Sequence, residues 1–175
     1  MRPLEGLLVL DFSTLLPGPL ASLLLAEAGA RVIKIERPGR GDEMRSYVPK
    51  VGDDSVNFAM LNRGKQSIAI DLKAPDAVSR LMPLLIGADV VIEQFRPGVM
   101  DRLGLGYETL RQINPRVIYC AITGYGQSRP KAQVAQLLTL CRRKLEMTLR
   151  AQRRDDTPGG GGRTYAKRHV SQMLG

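Results

Sequence analysis

Apolar positions in the first two-thirds of the chain alternate between short continuous runs and helix-spaced stripes. Leu7 to Phe12 is an apolar run bounded by turn-forming residues, which predicts a strand buried on both faces. Pro17-Gly18-Pro19 breaks the run. Leu20 to Ala28 then has the leucine and alanine density of a helix packed on a sheet, with Gly29 closing it. Arg31 to Ile35 is a second short strand, so strand, helix and strand follow one another as a βαβ unit.

The same rhythm continues. Residues 43–66 are polar, with a turn at Gly52-Asp53-Asp54 and a short apolar segment, Val56 to Leu61, expected to cover an edge of the sheet. Ser67 to Leu72 alternates and is rich in β-branched residues, predicting a third strand. Pro75 and Asp76 suit a helix start, and Val78, Leu81, Met82 and Leu85 form a helical stripe up to Gly87, with Pro83 expected to bend or shorten it. A fourth strand is predicted at Asp89 to Glu93 and a short helix within Asp101 to Asn114. A fifth strand at Arg116 to Ile122 runs into Thr123-Gly124-Tyr125-Gly126. The fold class is therefore α/β, a parallel sheet of about five strands flanked by helices. From about Arg129 the pattern lapses into Arg-rich and Leu-rich sequence and then four consecutive glycines at 159–162, with no further strand signal.

Composition sharpens that break. The chain has 175 residues, 43% hydrophobic, enough for one domain with a real core and cramped for two. The net charge of +9 suggests nucleic acid until it is located: residues 1–128 hold 15 Lys+Arg against 14 Asp+Glu, and residues 129–175 hold 11 against 3. The domain reading is accordingly 1–128 as the folded part and 129–175 as a divergent basic tail, expected to be partly disordered. Neither an eighteen-residue apolar run nor a signal-peptide pattern is seen, and a cytoplasmic protein is expected. Cys120, Cys141 and the single histidine, His169, have no metal-ligand spacing, so no metal is expected and Ser-His-Asp chemistry is poorly supported.

The candidate chemistry lies where strands end. Glu36 is followed at once by Arg37, and ligands of doubly wound folds sit beyond the carboxyl ends of the strands, where an acid can accept from ribose hydroxyls and an arginine can hold a phosphate. The segment GARVIKIERPG at 29–39 is echoed by GADVVIEQFRPG at 87–98, which suggests two arms of one polyanion-binding cleft.

The runs LEGLLVLDFSTLLPGP, GARVIKIERPGRGD, NRGKQSIAIDLK, DVVIEQFRPGVMDRLGLGYETL and NPRVIYCAITGYGQ, in this order, resemble the N-terminal part of the family III CoA-transferases. The resemblance covers residues 3–128. It implies a Rossmann-like large domain holding coenzyme A at Leu16, Pro17, Arg37, Ile70, Lys73, Gln94, Phe95, Arg96 and Arg102. Arg37, Lys73 and Arg102 would pair with the ribose phosphate and diphosphate, and Phe95 would lie against the adenine. It further implies acyl-CoA and a small carboxylic acid as substrates, and an interlocked homodimer. In such a dimer a small domain and a return segment cover the sheet, so a truncated chain should expose the apolar face of the Leu20–Ala28 helix.

Family members attack the thioester with an aspartate, often in a Gly-His-Asp motif after the GYGQ loop. Here the corresponding region reads Ala135-Gln136-Leu137-Leu138, Arg129 stands where a glycine usually follows the loop, and no catalytic residue is assigned. The chain thus reads as a truncated CoA-transferase-like protein without its nucleophile. The alternatives are an NADP-binding oxidoreductase domain, favoured by Glu36-Arg37 and opposed by the missing GxGxxG, and a nucleic-acid-binding module using the basic tail. Each candidate also has a plain structural role: Glu36 and Glu93 as partners of neighbouring arginines, Phe95 and Tyr107 as packing residues, Arg37, Arg96 and Arg102 as solvated rim charges. Asp155 and Asp156 lie in a polar basic segment and do not replace the nucleophile.

Overall fold

A computed structural model describes residues 2–124, 126, 127 and 147–150. Five parallel strands form the sheet: β1 (Leu8–Asp11), β2 (Arg31–Glu36), β5 (Gln66–Ala69), β6 (Val90–Glu93) and β7 (Ile118–Ile122). A two-residue hairpin, β3 (Lys50–Val51) and β4 (Asp54–Ser55), stands apart. The parallel strands run in the order β5-β2-β1-β6-β7, so β1 is the central one and the order reverses there.

Because β1 and β2 are buried on both faces, successive side chains serve two cores. Leu10, Ile33 and Val91 face α3 (Ala77–Gly87) and α5 (Tyr107–Ile113) through Leu81, Leu85 and Leu110. Val9, Val32 and Ile92 face α1 (Pro17–Glu27) through Ala21, Leu25 and Ala26. The carboxyl-terminal carbonyls of α3 are met by Asn114, whose Nδ2 donates to Ala88 O at 2.7 Å and Leu85 O at 3.3 Å.

Several boundaries differ from the sequence reading. The helix expected from Leu20 begins at Pro17, because a proline in the first turn lacks only an N–H that would be unsatisfied anyway. Pro83 sits inside α3 without ending it. The segment expected to cover a sheet edge is a helix, α2 (Val56–Asn62), capped by Ser55 Oγ, which accepts from Phe58 N at 3.0 Å, and it packs on α1. The third strand is shorter than Ser67 to Leu72, since the chain turns at Asp71, whose Oδ1 accepts from Lys73 N. Asp101 to Asn114 holds α5 and the end of a four-residue helix, α4 (Val99–Arg102).

The tail is not strand-free. β8 (Met147–Arg150) pairs antiparallel with β7 and completes the sheet, closing a backbone edge that β7 would otherwise leave open. The rest of the tail expected to be partly disordered, 129–146 and 151–175, lies outside the described residues. On α1, Leu20 is 43% and Leu24 59% exposed, as the resemblance implies. Among the described residues no helix is long and apolar enough to cross a membrane.

Candidate nucleotide-binding edge

Residues that follow the carboxyl ends of four adjacent strands gather along one edge of the sheet. Behind that edge lies a buried ionic cluster. Asp11 and Lys34 are register partners at the ends of β1 and β2, on the α1 face. Lys34 Nζ lies 2.9 Å from Asp42 Oδ2, a contact with the geometry of an ion pair rather than a directed hydrogen bond. Asp11 Oδ2 accepts from Ser22 Oγ at 2.5 Å and faces Lys65 Nζ at 3.4 Å. Lys65 Nζ also donates to Pro19 O at 2.8 Å and Asn62 Oδ1 at 2.9 Å. Burial pushes the Lys65 ammonium down to about 8, with Asp11 opposing the shift and Lys34 adding to it.

This cluster fixes the loop between β1 and α1. Asp11 Oδ1 accepts from Ser13 N at 2.9 Å and from the Ser13 hydroxyl. Lys34 Nζ donates to Ser13 O at 2.7 Å, and Asp42 Oδ1 accepts from Leu15 N at 3.3 Å. From the other side, Gln94 Nε2 donates to Thr14 O at 2.6 Å while its Oε1 accepts from Gly18 N at 3.0 Å. Leu15 is held at φ 62°, a left-handed conformation that costs a residue with a side chain about 1 kcal/mol. Gly18 is required for the close approach: a Cβ there would run into Ser13 and come within 2.8 Å of Gln94 Oε1.

Glu36, offered by the sequence to a ribose, is spent inside the protein. Its Oε1 takes Arg45 Nη2 at 2.8 Å and Ser67 Oγ at 2.8 Å, and its Oε2 takes Arg45 Nε at 2.8 Å and Asp42 N at 2.9 Å. Burial alone would raise its pKa, but the Arg45 fork, the Ser67 hydroxyl and the Asp42 N–H outweigh it and hold the carboxyl at about 2. Arg45 also pairs with Asp54 at 2.7 Å and lies 3.7 Å over the Phe58 ring. Gly41, at φ +61°, passes so close that a Cβ would meet Glu36 Oε2.

Glu93 is the opposite case. It lines a cavity of about 340 Å³ with Arg96, Asp101, Tyr107 and Tyr119. Its Oε2 accepts from Phe95 N at 2.7 Å and it is bonded to Tyr119. Burial pushes it up to about 7, the nearby Asp101 adding to the rise and the two hydrogen bonds opposing it. Burial likewise raises the Tyr119 hydroxyl well above its ordinary range and the Cys120 thiol to about 11, with Glu93 reinforcing both.

The predicted ligand residues divide accordingly. Leu16, 54% exposed, and Pro17 open α1. Arg37 follows β2 and donates from Nε to Gly41 O at 3.2 Å. Ile70 is buried just after β5, its N–H on Glu36 O at 2.8 Å, and Lys73 stands in the next turn. Phe95 packs on the core, Arg96 lines the cavity, and Arg102 ends α4. Among the described residues none of Arg37, Lys73, Arg96 and Arg102 forms an ion pair, in contrast to Arg45. The sequence reading missed Asp42, Arg45 and Lys65. Only Lys34 carried a signal, as a lysine inside an otherwise apolar strand. No group of three or more His, Cys, Asp or Glu among the described residues is placed to hold a metal ion.

Cations without an ion-pair partner among the described residues thus stand along the carboxyl edge of a parallel α/β sheet. The sequence profile of CoA-transferase family III matches residues 4–137, and the chain belongs to that family. It is 50% identical over 130 residues to acetyl-CoA:oxalate CoA-transferase of Acetobacter aceti, covering 74% of this chain and 33% of that protein. It is 45% identical over 136 residues to succinyl-CoA:glutarate CoA-transferase of Homo sapiens, covering 77% and 31%. The crystal structure of a CAIB/BAIF family protein from Brucella suis superposes with a TM-score of 0.72 at 41% identity, covering 77% of this chain and 36% of that one. The chain thus spans about a third of the length of these relatives.

Proposed function

We propose that the described domain binds the nucleotide end of acyl-coenzyme A, with Arg37, Lys73, Arg96 and Arg102 toward its phosphates and Leu16, Pro17, Ile70 and Phe95 lining the approach. The observation that carries this reading is the contrast among the cations. Lys34, Arg45 and Lys65 are matched to internal carboxylates, whereas the four beyond β2, β5 and β6 have no ion-pair partner among the described residues. Unpaired cations along a strand-end edge favour a polyanion.

The NADP reading loses its main support. Glu36, the acid that would take ribose hydroxyls, has both oxygens occupied by Arg45, Ser67 and the Asp42 amide. Acyl transfer between acyl-CoA and a small carboxylic acid is the family's chemistry, and in this sequence it lacks a nucleophile. The single histidine, His169, is followed by Val170, so no Gly-His-Asp occurs. We therefore expect coenzyme A binding without acyl transfer by the 175-residue chain.

Titration with coenzyme A at physiological salt tests the binding. Arg37→Ala should weaken it by about 1–3 kcal/mol, the range for a lost charge-assisted hydrogen bond. Arg80→Ala, which removes an exposed α3 arginine 4.0 Å from Asp76, should change little. Equal losses would place the binding surface elsewhere. New thioester from acyl-CoA and carboxylic acids would overturn the expectation of no transfer.

A further inference from the structure

Gln94 stands at the point where the strand order reverses, between the ends of β1 and β6, the place where an open α/β sheet has its crevice. Both functions of its amide are used across that gap, Nε2 on Thr14 O at 2.6 Å and Oε1 on Gly18 N at 3.0 Å. On the β2 side, Lys34 and Asp42 hold Ser13 O and Leu15 N. Five backbone groups of one short loop are thus held by four side chains, and within the loop Leu15 sits at φ 62°.

A strained residue persists only where its surroundings over-determine it, and such over-determination accompanies surfaces that must be ready-formed before a ligand arrives. The held loop ends at Leu16 and Pro17, on the outer side of the staple, and Leu16 is 54% exposed. We propose that Gln94 is a positioning residue: it closes the crevice between β1 and β6 and presents the Ser13–Gly18 loop pre-shaped to the nucleotide, which therefore lies across the outside of the loop rather than beneath it. This rests on the coenzyme A reading above. It gives Gln94 a role in affinity that needs no atom of the ligand to touch it.

The distinguishing measurement is amide hydrogen exchange in the unliganded full chain, beside a coenzyme A titration of the same samples. In Gln94→Met, which keeps the side-chain length and removes both hydrogen bonds, exchange at Gly18 should speed up at least tenfold and the Kd for coenzyme A should rise about tenfold. Gln94→Glu retains an acceptor for Gly18 N, so Gly18 should stay protected while protection at Leu15 falls as Thr14 O loses its donor. A direct ligand contact would instead raise the Kd with exchange at Gly18 unchanged, and that result overturns the proposal. So does faster exchange with an unmoved Kd. Failure of the wild-type chain to bind coenzyme A would overturn the coenzyme A reading and, with it, the ligand half of this proposal, while the exchange data still report whether Gln94 holds the loop.

Discussion

β2 and β6 flank β1 on either side and end in the same Ile-Glu, yet their two glutamates live in opposite electrostatic worlds. Glu36, on the α1 face, is clasped by Arg45 and held at about 2. Glu93, on the α5 face, has no cationic hydrogen-bond partner among the described residues and is pushed to about 7. The cause is one residue. From Gly29-Ala30 to Glu36 is one step longer than from Gly87-Ala88 to Glu93, and in a strand a single step moves a side chain to the other face. Register confirms it: Asp11 is level with both Lys34 and Ile92, so Glu36 falls two residues on, on the same face, and Glu93 one residue on, on the other. The echo that suggests two matching arms of a cleft therefore yields one structural anchor and one carboxyl lining a cavity.

Breaking the anchor should cost most. Arg45→Met leaves the buried Glu36 carboxylate without its fork and should destabilise the domain by about 3 kcal/mol in chemical denaturation, whereas Glu93→Gln at pH 7 should cost under about 1 kcal/mol. If both cost the same, the two glutamates are not the contrast drawn here.

The pH dependence should separate them next. Glu93 has a folded pKa near 7, above an ordinary carboxyl, so between about 4.5 and 7 the native state holds the proton that the unfolded chain has released. Its contribution is complete below about 4.5 and is lost as pH rises through 7. For Glu36, lowered to about 2, the stabilisation is complete above about 4.5 and is lost as pH falls toward 2. Denaturation at pH 5 and pH 8 should therefore show Glu93→Gln gaining on wild type by on the order of 2 kcal/mol as pH rises. A difference independent of pH would mean that Glu93 titrates normally.

The smallest effect sharpens the cavity side. Tyr119→Phe removes the hydroxyl bonded to Glu93 and should cost about 1 kcal/mol while moving the Glu93 titration, followed by carboxyl NMR, further upward. A downward move would show that the hydroxyl does not favour the carboxylate.

The strands were legible because burial on both faces writes them as apolar runs such as Leu8-Val9-Leu10, and the family motifs lie at those strand ends. The face swap of Glu36 and Glu93 was also legible, by counting from Gly-Ala, but similar wording invites alignment of the glutamates rather than of the strand starts. What could not be read was the partnership of Lys34 with Asp42, set by how the loop after β2 turns back, and of Asp11 with Lys65, which nothing local links along the chain. Nor does the four-residue run Met147–Arg150 announce itself, since its place as a strand comes from the edge of β7 and not from its own pattern.

The position of β1 at the centre of the sheet carries a consequence for synthesis on the ribosome. β1 emerges before both of its neighbours and acquires β2 almost at once, but its other neighbour pairs Val90 with Val9, so that flank waits while the intervening chain is translated. Throughout that interval a nascent chain carries one of its most apolar strands with an unmatched backbone edge, the kind of surface that trigger-type holdases shield and that other nascent chains can capture. Slowing elongation between α1 and β6 should therefore lower the yield of soluble protein, and speeding it should raise it.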